Sequence, residues 1–241
     1  MELRVEWLGR IDYRAAWARQ HALVTARAAG SAPDTLLVLE HPAVLTLGRQ
    51  ADASYVRAAD ETLAARGIEL IRVERGGEVT YHGPGQLVAY PIIRLADRGL
   101  MLRPLVHALE TAMAETCAAY GITAGRRDGH PGCWIDADGP APRKIGALGV
   151  RVERGVTYHG IALNVTTDLA DYELIDPCGM PDVTMTSIAL ETGRPAARPS
   201  TASVRGAADH FAPALERALD AASWVGATID VARPVVATSG G

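Results

Sequence analysis

Short apolar runs alternate with amphipathic stretches along the 241 residues. Residues 13–29 carry Trp17, Gln20, His21 and Val24 at spacings of three and four, and Gly30 stops the pattern, which predicts a helix. Thr35–Glu40 (TLLVLE) is an unbroken apolar run bounded by Pro33 and His41-Pro42, so it predicts a buried strand, with Val44–Leu47 as a second. A helix over 59–66, closed by Gly67, precedes a strand over 68–73, and another strand covers 87–93. The clearest helix spans 104–120, with a proline in its first turn and Gly121 just past its end. Residues 134–135, 145–152 and 160–165 read as strands, 183–191 and 203–222 as helices, and 227–231 as a last strand. Residues 126–132 and 136–142 read as exposed loops, too short to separate domains. Strands clustered at 35–93 and 134–165 with helices between them favour one α/β domain with a mixed sheet flanked by helices. That domain is assigned residues 1–233, and 234–241 a flexible C-terminal tail.

Composition narrows the class. With 48% hydrophobic and 22% charged residues the chain can fill a full core. A formal charge of −4 argues against a general nucleic-acid binder. No apolar run approaches the roughly 18–20 residues of a membrane span, and the N-terminus lacks a signal-peptide pattern. Cys117, Cys133 and Cys178 are too few for a disulfide framework, so a cytoplasmic protein with reduced thiols is expected. Of 24 basic residues 23 are arginine; the single lysine is Lys144. Where arginine has replaced lysine so widely, a surviving lysine either marks a site needing an ammonium that can release its proton, or is a chance remnant.

Three segments could carry chemistry. Arg75-Gly-Gly-Glu-Val-Thr-Tyr-His-Gly-Pro-Gly-Gln holds four glycines within eleven residues, fitting either an elaborate turn or a backbone approached closely by a ligand. It is not a nucleotide fingerprint, because neither the dinucleotide nor the P-loop spacing occurs. Part of it, Val79-Thr-Tyr-His-Gly83, recurs as Val156-Thr-Tyr-His-Gly160, so His82 and His159 could face one cleft. Lys144 begins a small-residue strand in which alternation sends Arg143 to the opposite side. Cys178 lies in Asp176-Pro-Cys-Gly-Met180, a turn that leaves its sulfur little cover, and Lys144, His82 or His159 could activate it. Cys117 falls in a helix among alanines and Cys133 leads into a strand, so both read as buried wall residues. A zinc site from Cys133, Cys178, His82 and His159 lacks the short ligand pairs such sites favour.

Four blocks in this order, Arg75-Gly-Gly-x-Val-Thr-Tyr-His-Gly-Pro-Gly-Gln-Leu-Val, Lys144-Ile-Gly-Ala-x-Gly-Val-Arg151, His159-Gly-x-Ala-Leu-Asn-Val165 and Pro177-Cys-Gly179, resemble the octanoyltransferases of lipoate biosynthesis. The resemblance runs from about residue 41 to 193 and implies the α/β fold of the biotin and lipoate protein ligases. It implies transfer of an octanoyl or lipoyl group from acyl carrier protein to a lysine of lipoyl domains, in 2-oxoacid dehydrogenases or the glycine-cleavage H protein. In that reading Cys178 is the acyl-thioester nucleophile, and Lys144 lowers its pKa and serves as acid and base. Arg75, Gly76, Gly77, Glu78, Val79, Thr80, Tyr81 and His82 form the substrate-binding loop, joined by Ala147, Leu148, Gly149, Gly160, Ile161 and Ala162. His159 is a possible accessory, and amides near 147–149 are the expected oxyanion donors. No cofactor or metal, no nucleic acid, no membrane and a monomer are expected. An ATP-dependent lipoate or biotin ligase of the same fold, and a non-catalytic acyl- or carrier-domain-binding protein, remain the alternatives.

Overall fold

The computed structural model describes residues 2–180, 182–193 and 202–225. The strand expected at 227–231 and the tail at 234–241 lie outside them. β2 (Thr35–Glu40) shows why its sequence is unbroken: Leu36 and Val38 point into one core, Leu37 and Leu39 into another. A strand buried on both faces has no polar alternation to display. It lies in a large mixed sheet ordered β1 (Arg4–Arg10), β2, β6 (Gln86–Ile92), β10 (Val156–Asn164), β9 (Arg143–Glu153), β8 (His130–Ile135) and β7 (Gly125–Arg127). α1 (Tyr13–Ala28) covers one face, while α3 (Leu102–Ala118) and α5 (Val204–Val225) pack together on the other.

A second sheet of three strands, β4 (Glu69–Arg72), β3 (Val44–Leu47) and β5 (Val79–His82), has its own core. Leu45, Leu47, Val79 and Tyr81 meet Leu63 of α2 (Asp60–Ala65), with Tyr172 and Leu174 from the 3-10 turn Ala170–Leu174. Among the described residues no helix is long and apolar enough to cross a membrane.

Several elements differ from expectation. β1 is an edge strand with every position exposed or half-buried, so no apolar pattern announces it. Residues 126–132 form the β7–β8 hairpin rather than a loop; Arg, Asp, Gly, His and Pro make up this stretch, and β7 is the other edge strand. Within 183–191 only α4 (Ile188–Glu191) is helical, capped by the Ser187 hydroxyl on Leu190 N–H. Before it, β11 (Thr184–Met185) runs parallel to β9 and pairs with Arg143 and Lys144. α1 buries Tyr13, Ala16, Gln20, Val24 and Arg27; of the expected stripe Gln20 and Val24 face inward, while Trp17 and His21 are half-buried. Two of these inward residues are polar because they have buried partners, Gln20 on His159 N–H and Arg27 on Asp34.

The β10–β6 ladder breaks where Pro91, having no N–H, stands opposite His159. His159 turns to φ +55 there, and its own N–H goes to Gln20 Oε1 at 2.7 Å. Thr157 Oγ1 repairs the break, donating to Pro91 O at 2.5 Å and accepting from Ile93 N–H at 3.0 Å.

Candidate active site

Lys144 and Arg143 point to opposite sides of β9, as alternation requires. Arg143 reaches outward and clamps Glu191 with two hydrogen bonds of 2.8 and 2.9 Å. Lys144 is only 2% exposed; its Nζ donates to Pro131 O at 3.0 Å and stands 5.1 Å from the centroid of the Trp134 ring. A carbonyl oxygen and an aromatic face both suit a cation. β11 and the hydrogen bond from Thr186 N–H to Lys144 O, 3.0 Å, draw the segment after residue 180 to the same spot.

The turn Pro177–Gly179, with Cys178 at its centre, is held against the glycine-rich loop. Asp176 N–H donates to Tyr55 O at 2.7 Å, and a Cβ at Gly179 would lie 3.0 Å from the Tyr55 ring and 3.3 Å from Glu78 Cγ. One open cleft of about 380 Å³ then has Lys144, Gly76, Gly77, Glu78, Leu148, Gly149, Val150 and Met180 on its walls. Leu102, Val106 and the 129–131 segment complete it.

A narrow recess of about 40 Å³ leads on from this cleft, sharing Gly77, Glu78, Leu148 and Gly149 with it. Val79, Ala147, Gly160, Ile161 and Ala162 line it; away from Lys144 it meets Tyr13, Arg75, Thr80, His82, Tyr90 and His159. The repeated Val-Thr-Tyr-His-Gly segments thus bring both histidines to one place. All the expected substrate-binding positions except Tyr81 line the cleft or the recess. Tyr81 faces the small sheet's core, its ring 5.4 Å from that of Tyr172. Tyr13, Tyr90, Val150 and Met180 were not foreseen. Tyr13 and Tyr90 belong to segments whose apolar pattern marks them as core, so nothing local distinguishes them.

Strand register places two amides at the cleft. His159 N–H turns toward Gln20 and away from β9, and pairing puts Val150 opposite His159 and Leu148 opposite Ile161. Because antiparallel pairs alternate, the polar groups of Leu148 and Val150 point away from β10, toward the Gly76–Gly77 loop. Backbones touch here: a Cβ at Gly149 would lie 2.6 Å from Gly76 O.

Arg75 is 8% exposed and braces the loop, donating to Thr46 Oγ1, to the Thr46 carbonyl and to Gly76 O at 3.0 Å. The histidines around it are neutral. Burial drives His41 down to about 4, with Nδ1–H donating to Ile11 O at 2.8 Å and Nε2 accepting from Tyr90 OH at 2.9 Å. Burial likewise pushes His82 well below the ordinary histidine value, and its Nδ1–H donates to Gln86 Oε1 at 2.8 Å. His159 is also lowered by burial, against the opposing pull of Glu74, whose Oε2 is 3.6 Å from its Nε2. That imidazole and nearby His21 hold the Glu74 carboxyl down to about 2.

The remaining cysteines are wall residues. Cys117 on α3 and Cys133 on β8 are fully buried in one core, and the Cys117 thiol together with burial raises Cys133. Cys133 therefore does not join His82 and His159, and no group of three or more metal-binding side chains occurs among the described residues.

The family description "Lipoyl protein ligase A/B catalytic domain" matches residues 12–208. An octanoyltransferase of Chloroflexus aggregans is 48% identical over 193 residues, spanning 80% of this chain and 86% of that protein. One of Mycolicibacterium gilvum is 45% identical over 219 residues, spanning 90% and 86%. Among solved structures, a bipartite lipoate protein ligase of Thermoplasma acidophilum superposes with a TM-score of 0.63 at 17% identity, covering 91% of this chain and 84% of that one. A biotin protein ligase of Aquifex aeolicus gives 0.53 at 13% identity, covering 90% and 70%. At such identities these two speak for the fold, which is the expected ligase-like α/β architecture. The chain belongs to the lipoyl protein ligase A/B catalytic domain family.

Proposed function

We propose that the protein transfers an octanoyl group from a carrier-protein thioester to a lysine of a lipoyl domain, through an acyl-enzyme on Cys178. The observation that supports this reading is a single cleft lined by the chain's only lysine, by the glycine-rich loop and by Met180, which directly follows the turn Pro177–Gly179. The curated octanoyltransferase relatives supply the acyl group and the reaction class.

The Lys144 ammonium holds the sulfur as a thiolate. The thiolate attacks the thioester carbonyl carbon; a carbon–sulfur bond to Cys178 forms, the bond to the carrier arm breaks, and the departing thiolate takes a proton from Lys144. Amides of β9 that face the cleft, Leu148 foremost, stabilise the oxyanion, each such donor typically contributing about 3–4 kcal/mol. The acceptor lysine then attacks the acyl-enzyme, an amide bond forms, Cys178 leaves as thiolate and Lys144 recovers the proton. The apolar part of the recess takes the alkyl chain, at roughly 0.8 kcal/mol per buried methylene.

Intact-mass measurement after mixing with octanoyl carrier protein, without ATP, tests this directly. The wild type should gain one octanoyl group and Cys178→Ser none; a serine variant that still transfers at the wild-type rate rejects the covalent route. Lys144→Arg should form some acyl-enzyme yet not turn over. Transfer that requires ATP would favour a ligase.

A further inference from the structure

Beside the lysine cleft, between the N-terminal half of α3 and the β7–β8 hairpin, lies a second open groove of about 460 Å³. It shares Val106, Gly129, His130 and Pro131 with the cleft, so the two form one continuous channel along the molecule. Pro131 gives its carbonyl to Lys144 on one side and walls the groove on the other.

The groove concentrates cations in a chain that is acidic overall. Arg103, Arg126 and Arg127 line it together with His107 and His130. Many other arginines face carboxylates, such as Arg14 with Glu69, Arg143 with Glu191 and Arg217 with Glu115. No such ion pair holds Arg103, Arg126 or Arg127 among the described residues. Arg127 is stacked 5.3 Å from the centroid of Trp134, the same indole that bears Lys144 Nζ at 5.1 Å. One rigid ring therefore spaces the groove's cation from the reacting centre. Two acids also line the groove, but Glu110 is buried and occupied in accepting Gly132 N–H at 3.0 Å, and Asp128 is exposed.

We infer that this groove binds the phosphorylated end of a pantetheine arm whose thioester end reaches Lys144. The inference rests on the thioester reading above. A pantetheine arm is uncharged along its amide-linked length and carries its anion at the end remote from sulfur, which matches one cation at the chemistry and three arginines in the groove that adjoins it. Guanidinium groups are the side chains best shaped for phosphate oxygens. Both a carrier-protein arm and a coenzyme thioester present this phosphate.

The test uses S-octyl thioethers, which cannot transfer, so binding is read apart from chemistry. Calorimetry should show S-octyl-4′-phosphopantetheine binding the wild type about tenfold or more tightly than S-octyl-pantetheine in low salt, an advantage that shrinks as salt rises. In the R103Q/R126Q/R127Q variant the two compounds should bind within about twofold of each other, with the affinity for S-octyl-pantetheine unchanged. Equal affinities in the wild type, a phosphate advantage that survives in the variant, or an equal loss for both compounds would overturn the inference. S-octyl coenzyme A and an S-octyl carrier protein run alongside identify the source: the tighter of the two is the natural bearer, and the phosphate site stands in either case. A phosphate advantage combined with no acylation of Cys178 would reject thioester transfer while leaving the groove's role intact.

Discussion

The position of Lys144 depends on a glycine across from it. Gly132 has φ +134, and a Cβ there would lie 2.5 Å from Gly146 O and 2.8 Å from Lys144 Cε. Gly132→Ala should therefore displace the ammonium, lowering kcat by about a hundredfold with little change in KM, which steady-state kinetics with octanoyl carrier protein would check. Beneath it, Glu110 Oε1 accepts Gly132 N–H and so holds the strand that offers Pro131 O to Lys144. Glu110→Leu strands that amide and should cost about 1–3 kcal/mol by urea unfolding; Glu110→Gln keeps an acceptor and should lose much less. At this scale the lysine was legible because the rest of the chain had given up lysine. Tyr81 was not separable from Thr80 and His82 within its motif, yet alternation along β5 turns it to the small sheet's core.

Among elements, the buried ions do the joining. Asp34, 1% exposed at the start of β2, accepts from Arg27 Nε of α1 at 2.7 Å, from Arg98 Nε at 2.6 Å and from Arg94 N–H at 3.1 Å. Asp34→Ala would leave two buried guanidiniums without this partner and should cost about 3–5 kcal/mol in chemical denaturation. Thr157→Val should cost about 1–3 kcal/mol in the same assay, because Ile93 N–H and Pro91 O lose the hydroxyl that bridges the ladder break. Strands buried on both faces, β2 and β3, match their apolar runs residue for residue. β1, β7 and β11 do not, since edge or two-residue strands bury too little to leave a pattern and are defined by the partner they pair with.

For the whole molecule, the neutral histidines set an acid limit. His41 takes a proton near 6.5 in the unfolded chain but only near 4 in the fold, so between those values the unfolded state binds more protons and is favoured. That group alone should remove about 3 kcal/mol of stability as pH falls from 6.5 to 4, and His82 and His159 act in the same direction. Urea titrations at pH 7 and 5 should show the loss, and His41→Gln should make the slope shallower. The sequence by itself determined the α/β class, the doubly buried strands and the family, and singled out one lysine and one cysteine, because burial pattern, turn residues and rare residue types are local. Only the tertiary structure decided that Lys144 lies against Pro131 and Trp134, that His82 and His159 share a recess, and that Arg103, Arg126 and Arg127 gather beside the lysine cleft. Those outcomes depend on pairing between strands far apart in the chain, and register between such strands has no trace in either one alone.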